Sequence, residues 1–73
     1  MTGDDLNDIR TRLGLSTAQF GYALGFLGSK SNVSTTIRRF EHGDKPVAPW
    51  IARLAIMFER YGIPPEWLEG DGA

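Results

Sequence analysis

Asn32-Val-Ser-Thr-Thr-Ile-Arg-Arg-Phe-Glu-His-Gly43 is the stretch around which the other segments arrange themselves. Wound as a helix at about 100° per residue, it sets Val33, Ile37 and Phe40 on one stripe and Asn32, Thr35 and Arg39 on the opposite face. The first stripe requires a core. The second consists of small hydrogen-bonding groups and a guanidinium. Asn and Arg can each offer two hydrogen-bonding groups to a purine edge, and Thr adds a hydroxyl and a methyl, so this face carries the groups that read base edges. The expectation is a recognition helix over residues 32–42, lying in the major groove of double-stranded DNA.

Outside that stretch, composition limits the possibilities. Seventy-three residues form one domain, residues 1–73, near the lower end of what folds unaided. A hydrophobic fraction of 41% with eight aromatics describes a globular chain. Without cysteine there is no disulfide framework and no thiolate metal site, and without a charged-then-apolar leader the expected location is the cytoplasm. The longest apolar run, residues 54–58, is far too short to span a bilayer, so no membrane partner is expected. The net charge of −1 hides an asymmetry: residues 10–53 hold seven cations against two carboxylates, +5, and the two ends hold one against seven, −6. Local field governs where a polyanion docks, although mixed charge more commonly just solvates a surface.

The remaining segments read as helices. Thr2 with Asp5 resembles a capping box and starts a helix over residues 3–13 that carries Leu6, Ile9 and Leu13 and stops at Gly14. Ser16 with Gln19 is a second capping box, for a helix over residues 17–24 ending at Gly25. Within it Gly21 costs about 1 kcal/mol relative to Ala and is expected to permit a close helix crossing. Residues 26–31 have no clear period and read as an extended turn. After a loop closed by Pro46, Pro49 starts a helix whose residues Trp50, Ile51, Leu54, Ala55, Phe58 and Tyr61 form an apolar stripe, expected to pack in the core with Met57 on its flank. Residues 62–64 end it in a Schellman-like pattern. A short fifth helix over residues 65–70 turns Trp67 and Leu68 inward, and the last three residues fray. The expected fold is an all-α, compact five-helix bundle.

Taken together, Arg10-Thr-Arg-Leu-Gly-Leu-Ser16, Thr17-Ala-Gln-Phe-Gly-Tyr-Ala-Leu-Gly25 and Ile37-Arg-Arg-Phe-Glu-His-Gly43 resemble the helix-turn-helix of the Cro and lambdoid phage repressor family, the XRE type. The ending Gly62-Ile-Pro-Pro-Glu-Trp-Leu-Glu-Gly70 is also similar to the way these domains finish, so the likeness covers nearly the whole chain. It implies a lambda-repressor-like fold with the third helix in the major groove and the second crossing the backbone. By position it implies base contacts from Ser34, Thr35 and Arg39; the helical wheel gives Asn32, Thr35 and Arg39. Phosphate contacts are assigned to Thr17, Lys30, Thr36, Arg38 and Lys45, with Arg53 adding to the cationic field. Arg10 and Glu41 match a pair that forms an internal ion pair in some relatives. The departure is the connection from Gly25 to Asn32, several residues longer than the family's turn. Either that turn bulges outward, or the third helix gains about a turn at its N-terminus and brings Ser31 and Asn32 toward the groove.

The implied function is a sequence-specific transcriptional regulator, a repressor, binding a palindromic operator as a symmetric homodimer through the fourth helix and the Trp67-Leu68 segment. A second class is a protein-interaction module, such as an antitoxin-like partner, using the same fold. An exposed Trp67 or Tyr22 beside the third helix favours that class; a cationic third helix disfavours it. No nucleophile and base pair, catalytic carboxylate pair or phosphate-binding loop is legible, and His42 stands alone, so no enzyme, metal, cofactor or small-molecule substrate is expected.

Overall fold

Local signals at both ends of each segment determine where its helix starts and stops. The computed structural model describes residues 1–69; among them are α1 (Gly3–Leu13), α2 (Thr17–Leu24), α3 (Lys30–Glu41), α4 (Pro49–Tyr61) and a terminal 3-10 turn (Pro65–Leu68), with no strand. The all-α class is as expected, and the expectation for the last three residues lies outside the described ones. Both capping boxes form: Thr2 Oγ1 accepts from the Asp5 amide at 3.1 Å while Asp5 accepts from the Thr2 amide at 3.0 Å, and Ser16 and Gln19 repeat the exchange. α1, α2 and α3 end alike, with a left-handed glycine (Gly14, Gly25, Gly43) and paired bonds back to the last turn, such as Gly43 N–H to Phe40 O and Asp44 N–H to Arg39 O. These bonds are a Schellman motif, and they satisfy carbonyls the helix itself cannot.

Three expectations about where helices start and stop, and of what kind they are, change. The third helix begins at Lys30 rather than Asn32, because Ser29 accepts from the Asn32 amide at 3.2 Å and caps it two residues earlier. Of the two alternatives for the long connection, the structure has the helix extension, but by two residues, about half a turn rather than a whole one. The fifth helix is a single 3-10 turn of four residues, started by Pro65 and closed by Trp67 N–H to Pro64 O; a segment this short does not repay α-helix nucleation. α4 ends at Gly62 without a Schellman motif: Gly62 has ψ 178°, which leads straight into extended chain, and its amide makes one bond, to Phe58 O.

The core draws Leu6 and Ile9 from α1, Phe20, Ala23 and Leu24 from α2, Ile37 and Phe40 from α3, and Ile51, Ala55 and Phe58 from α4. α2 and α3 form the most intimate pair. A Cβ at Gly21 would overlap Val33 Cγ1 and lie 3.1 Å from Ile37 Cγ1, so only glycine lets these helices approach as they do. α1 sits across the end of α3, with Gly3 so close that a Cβ there would meet the Glu41 carbonyl oxygen at 2.5 Å. Arg12 pairs with Glu59, linking α1 to α4; that hydrogen bond holds the Glu59 carboxyl below its usual range. The expected stripe on α4 divides. Ile51, Ala55 and Phe58 are buried, whereas Trp50, Met57 and Tyr61 are exposed. Trp67 also departs from its expected inward position: it is 46% exposed, with its ring edge on Phe58 at 6.2 Å between centroids, while Leu68 packs against the core.

Candidate nucleic-acid interface

α3 is held from behind and open in front. Val33, Ile37 and Phe40 are buried, so the residues about half a turn away must face solvent. Ser31, Asn32, Thr35, Arg38 and Arg39 are all exposed there. Between Asn32 and Arg39 the helix rises about 10 Å, the length of roughly three base-pair steps. Asn32 at one end and Arg39 at the other therefore bracket Thr35 on one continuous face.

The hydroxyls on this helix are already partly committed. Thr35 Oγ1 donates to Ser31 O at 3.0 Å and Thr36 Oγ1 to Asn32 O at 3.1 Å. Thr35 thus offers outward its methyl and an acceptor lone pair, which suit a thymine methyl or an exocyclic amino group. Thr36 is half-buried on one flank. Ser34, on the other flank, is half-buried in the seam with α2, where its Oγ accepts from Thr17 Oγ1 at 3.0 Å. Its own proton remains free to donate. The wheel and the resemblance differed at Asn32 and Ser34; Asn32 stands on the exposed face and Ser34 stands in the seam.

Cations surround that face. Among the described residues the ion pairs are Arg10 with Glu41 and Arg12 with Glu59, which leaves Lys30, Arg38 and Arg39 of α3, Lys45 after it, and Arg53 and Arg60 of α4 unpaired. Lys30 shares a groove of about 610 Å³ with Ser16, Gln19 and Tyr22 of the α2 side and with Leu68 and Glu69 from the chain's end. The N-termini of α2 and α3 carry no acidic residue in their first turns, unlike α1 with Asp4 and Asp5, so their partial positive charge is uncompensated from within. Thr17, at the first position of α2, lies at that end. Lys45 is further off, half-buried past the end of α3 with Nζ 6.0 Å from the Phe40 ring centroid.

A buried brace fixes the C-terminal end of the face. Glu41 accepts from Arg10 Nε at 2.7 Å, from Arg10 Nη2 at 3.2 Å and from Asn7 Nδ2 at 2.9 Å. Arg10 also donates to Leu15 O at 3.0 Å, so one guanidinium joins α1, the loop before α2 and the last turn of α3. The expected Arg10–Glu41 pair is present. Asn7 was not foreseen, although it lies one helical turn before Arg10 on the same face and spacing alone could have suggested it. No buried side-chain polar atom lacks a partner among the described residues. No cluster of metal-ligating residues occurs among them either, and no helix is long and apolar enough to cross a membrane.

Comparison with protein-family models, with curated proteins and with solved structures finds no match to this chain.

Proposed function

We propose that the chain is a sequence-specific DNA-binding regulator of the Cro and lambdoid repressor kind, acting in the cytoplasm as a repressor on a palindromic operator. α3 enters the major groove, and the exposed row Asn32, Thr35 and Arg39, backed by a fully buried stripe, is the observation that carries this reading. Arg39 takes a guanine edge bidentately, Asn32 an adenine edge, and Thr35 a pyrimidine methyl or amino group. Ser34 donates from the seam at the edge of the groove. Lys30, Arg38 and Lys45 neutralise phosphates and, with the amides at the start of α2, set the register, while Thr17 and Thr36 bond a phosphate only by turning their hydroxyl protons away from Ser34 Oγ and Asn32 O. The two extra residues at the start of α3 carry Lys30 and Ser31 toward the backbone, so the α3 N-terminus reaches further along the groove than a short turn allows.

A titration by electrophoretic mobility shift separates these roles. Arg39→Ala is expected to cost about 1–3 kcal/mol at the preferred site and to erase discrimination at one or two base pairs. Lys30→Ala is expected to weaken preferred and random duplexes equally and to reduce the salt slope by about one. If both substitutions lower preferred and random binding by the same factor, base reading by Arg39 is wrong.

The protein-interaction alternative draws on the 46%-exposed Trp67, although its ring lies on Phe58 of α4 rather than beside α3, and Tyr22 is half-buried with its hydroxyl donating to Gly28 O. It requires the outward face of α3 to be irrelevant to binding, so a chain whose Arg39→Ala and Lys30→Ala variants both bind DNA as the parent does would favour it. Two unpaired arginines on that face count against it.

A further inference from the structure

Seen down its axis, α4 has one buried side and one open side. Ile51, Ala55 and Phe58 are buried, and Arg53 and Arg60 lie opposite them, both exposed. The two arginines are seven residues apart, so they stand in line along the helix about 10 Å from each other. Apolar side chains flank that line on both sides. Trp50, Met57 and Tyr61, which are 47%, 53% and 77% exposed, run along one edge, and Ile56, 42% exposed, lies on the other. Glu59, the one carboxylate of the helix, turns toward α1 and is held by Arg12, and no ion pair among the described residues engages Arg53 or Arg60. Large apolar groups gathered on one exposed face and bordered by charge mark an association site.

Charge decides among the occupants. A second copy of the chain would bring Arg53 and Arg60 against the same arginines, whether the helices ran parallel or antiparallel, with no free carboxylate on α4 to meet them. A nucleic-acid backbone supplies anions but sets phosphates against Trp50, Met57 and Tyr61, which then lack apolar partners. A flat anionic lipid surface would also meet Glu66 and Glu69, both exposed just beyond the helix. An acidic amphipathic helix satisfies both kinds of group. Carboxylates seven residues apart reach the two guanidinium groups, and an apolar stripe beside them packs on Trp50, Met57 and Tyr61 as one helix packs its ridges into the grooves of another.

We propose that the open side of α4 docks an acidic amphipathic helix of another protein, with carboxylates two turns apart on Arg53 and Arg60. Exposed ion pairs contribute little each, so apolar burial sets the affinity and the arginines set which helix is accepted. A single helix face offers less than the roughly 800 Å² per partner of a standard interface, so the dissociation constant is on the order of 10–500 μM. The contact does not depend on what α3 binds.

Nuclear magnetic resonance titration of the full chain with two synthetic peptides tests the contact. One is an amphipathic helix of about three heptads with leucine and phenylalanine on one stripe and two glutamates seven residues apart beside it; the other replaces those glutamates by lysine. The acidic peptide is expected to bind in the stated range and to shift the amide signals of Trp50, Arg53, Met57 and Arg60, leaving those of Thr35 and Arg39 in place. The lysine peptide is expected to bind at least tenfold more weakly. Arg53→Glu combined with Arg60→Glu is expected to reverse the preference, so that the lysine peptide binds at least fivefold more tightly than the acidic one, a gain that misfolding cannot produce. Met57→Ser is expected to weaken the acidic peptide at least threefold, and Arg38→Glu, which removes an exposed cation of α3, to change it less than twofold. Failure of the acidic peptide to bind at 1 mM, equal binding of the two peptides, or a charge-reversed chain that keeps the acidic preference overturns the contact. Shifts confined to α3 overturn it as well, since the peptide then only stands in for nucleic acid. Sedimentation equilibrium at 1 mM is expected to give 8.1 kDa; twice that mass, falling to the single value for Met57→Ser, assigns the face to a second copy and overturns the proposal. Co-sedimentation with phosphatidylglycerol vesicles by a chain that ignores the acidic peptide assigns the face to a lipid surface and overturns it too.

Discussion

Gly21→Ala is expected to destabilise the protein, against the ordinary effect of that substitution in a helix. In an open helix interior, replacing Gly by Ala gains about 1 kcal/mol. Here the added methyl would overlap Val33 Cγ1 and press on Ile37 Cγ1 at 3.1 Å, while ordinary contact lies at 3.4–4 Å. Val33 is 1% exposed and β-branched, so its methyl has no open direction in which to turn, and α2 must back away from α3 by about 1 Å. Overpacking of this kind costs about 1–3 kcal/mol, and a clash this severe belongs near the top of the range. Subtracting the propensity gain leaves a net loss of about 1–2 kcal/mol, or a fall in Tm of roughly 4–16 °C for a domain of this size. Val33→Ala removes the obstructing methyl. In the double variant the two changes should compensate, with a coupling of about 1 kcal/mol or more in a double-mutant cycle measured by urea unfolding. A rise in Tm for Gly21→Ala alone, or additivity in the cycle, would refute the close crossing.

Other substitutions probe the brace, the cap and the charge at the helix ends. Glu41→Ala leaves the Arg10 guanidinium, whose side chain is 19% exposed, with one partner fewer in a mostly buried site, and should cost roughly 3 kcal/mol in urea unfolding. A loss under 1 kcal/mol would show that the brace is dispensable. Ser29→Ala should cost about 1 kcal/mol and speed amide exchange at Asn32, since the α3 extension depends on that cap. Asp5 and Glu59 both titrate below the usual carboxylate range, Asp5 through the backbone and side chain of Thr2 and Glu59 through Arg12. Because their folded values are depressed, their stabilisation is present above the ordinary carboxylate value and is lost as pH falls through the folded one. Thermal melts between pH 7 and pH 2 should show Tm falling at the acid end, and an Asp5→Asn, Glu59→Gln chain should fall less.

Helix boundaries were legible where a glycine or a reciprocal cap marks them. Thr2 with Asp5 and Ser16 with Gln19 each exchange two hydrogen bonds, and Gly14, Gly25 and Gly43 supply the left-handed turn, so both signals are written in residue type. Ser29 was harder to see. Its partner three residues on is Asn32, whose side chain makes no return bond to the Ser29 amide as Asp5 and Gln19 do to theirs, and no apolar residue between Leu27 and Val33 establishes a period. On α4 the periodicity merged two faces into one. Trp50, Leu54, Met57 and Tyr61 recur at helical spacing just as a core stripe does, and hydrophobicity alone does not say whether the covering surface belongs to the same chain. At the candidate interface the wheel put Asn32, Thr35 and Arg39 on the exposed face, because three buried residues fix the direction of the whole helix. It could not assign Ser34, which lies at the side and takes its position from its bond to Thr17.

Selection of bound duplexes from a random DNA pool addresses the proposed use of α3 most directly. Enrichment of a motif with several fixed base pairs is expected, relaxed at one or two of them for Arg39→Ala and unchanged in sequence for Lys30→Ala. Recovery of a pool indistinguishable from its input, or of an identical motif by the Arg39→Ala chain, would contradict base reading by this helix.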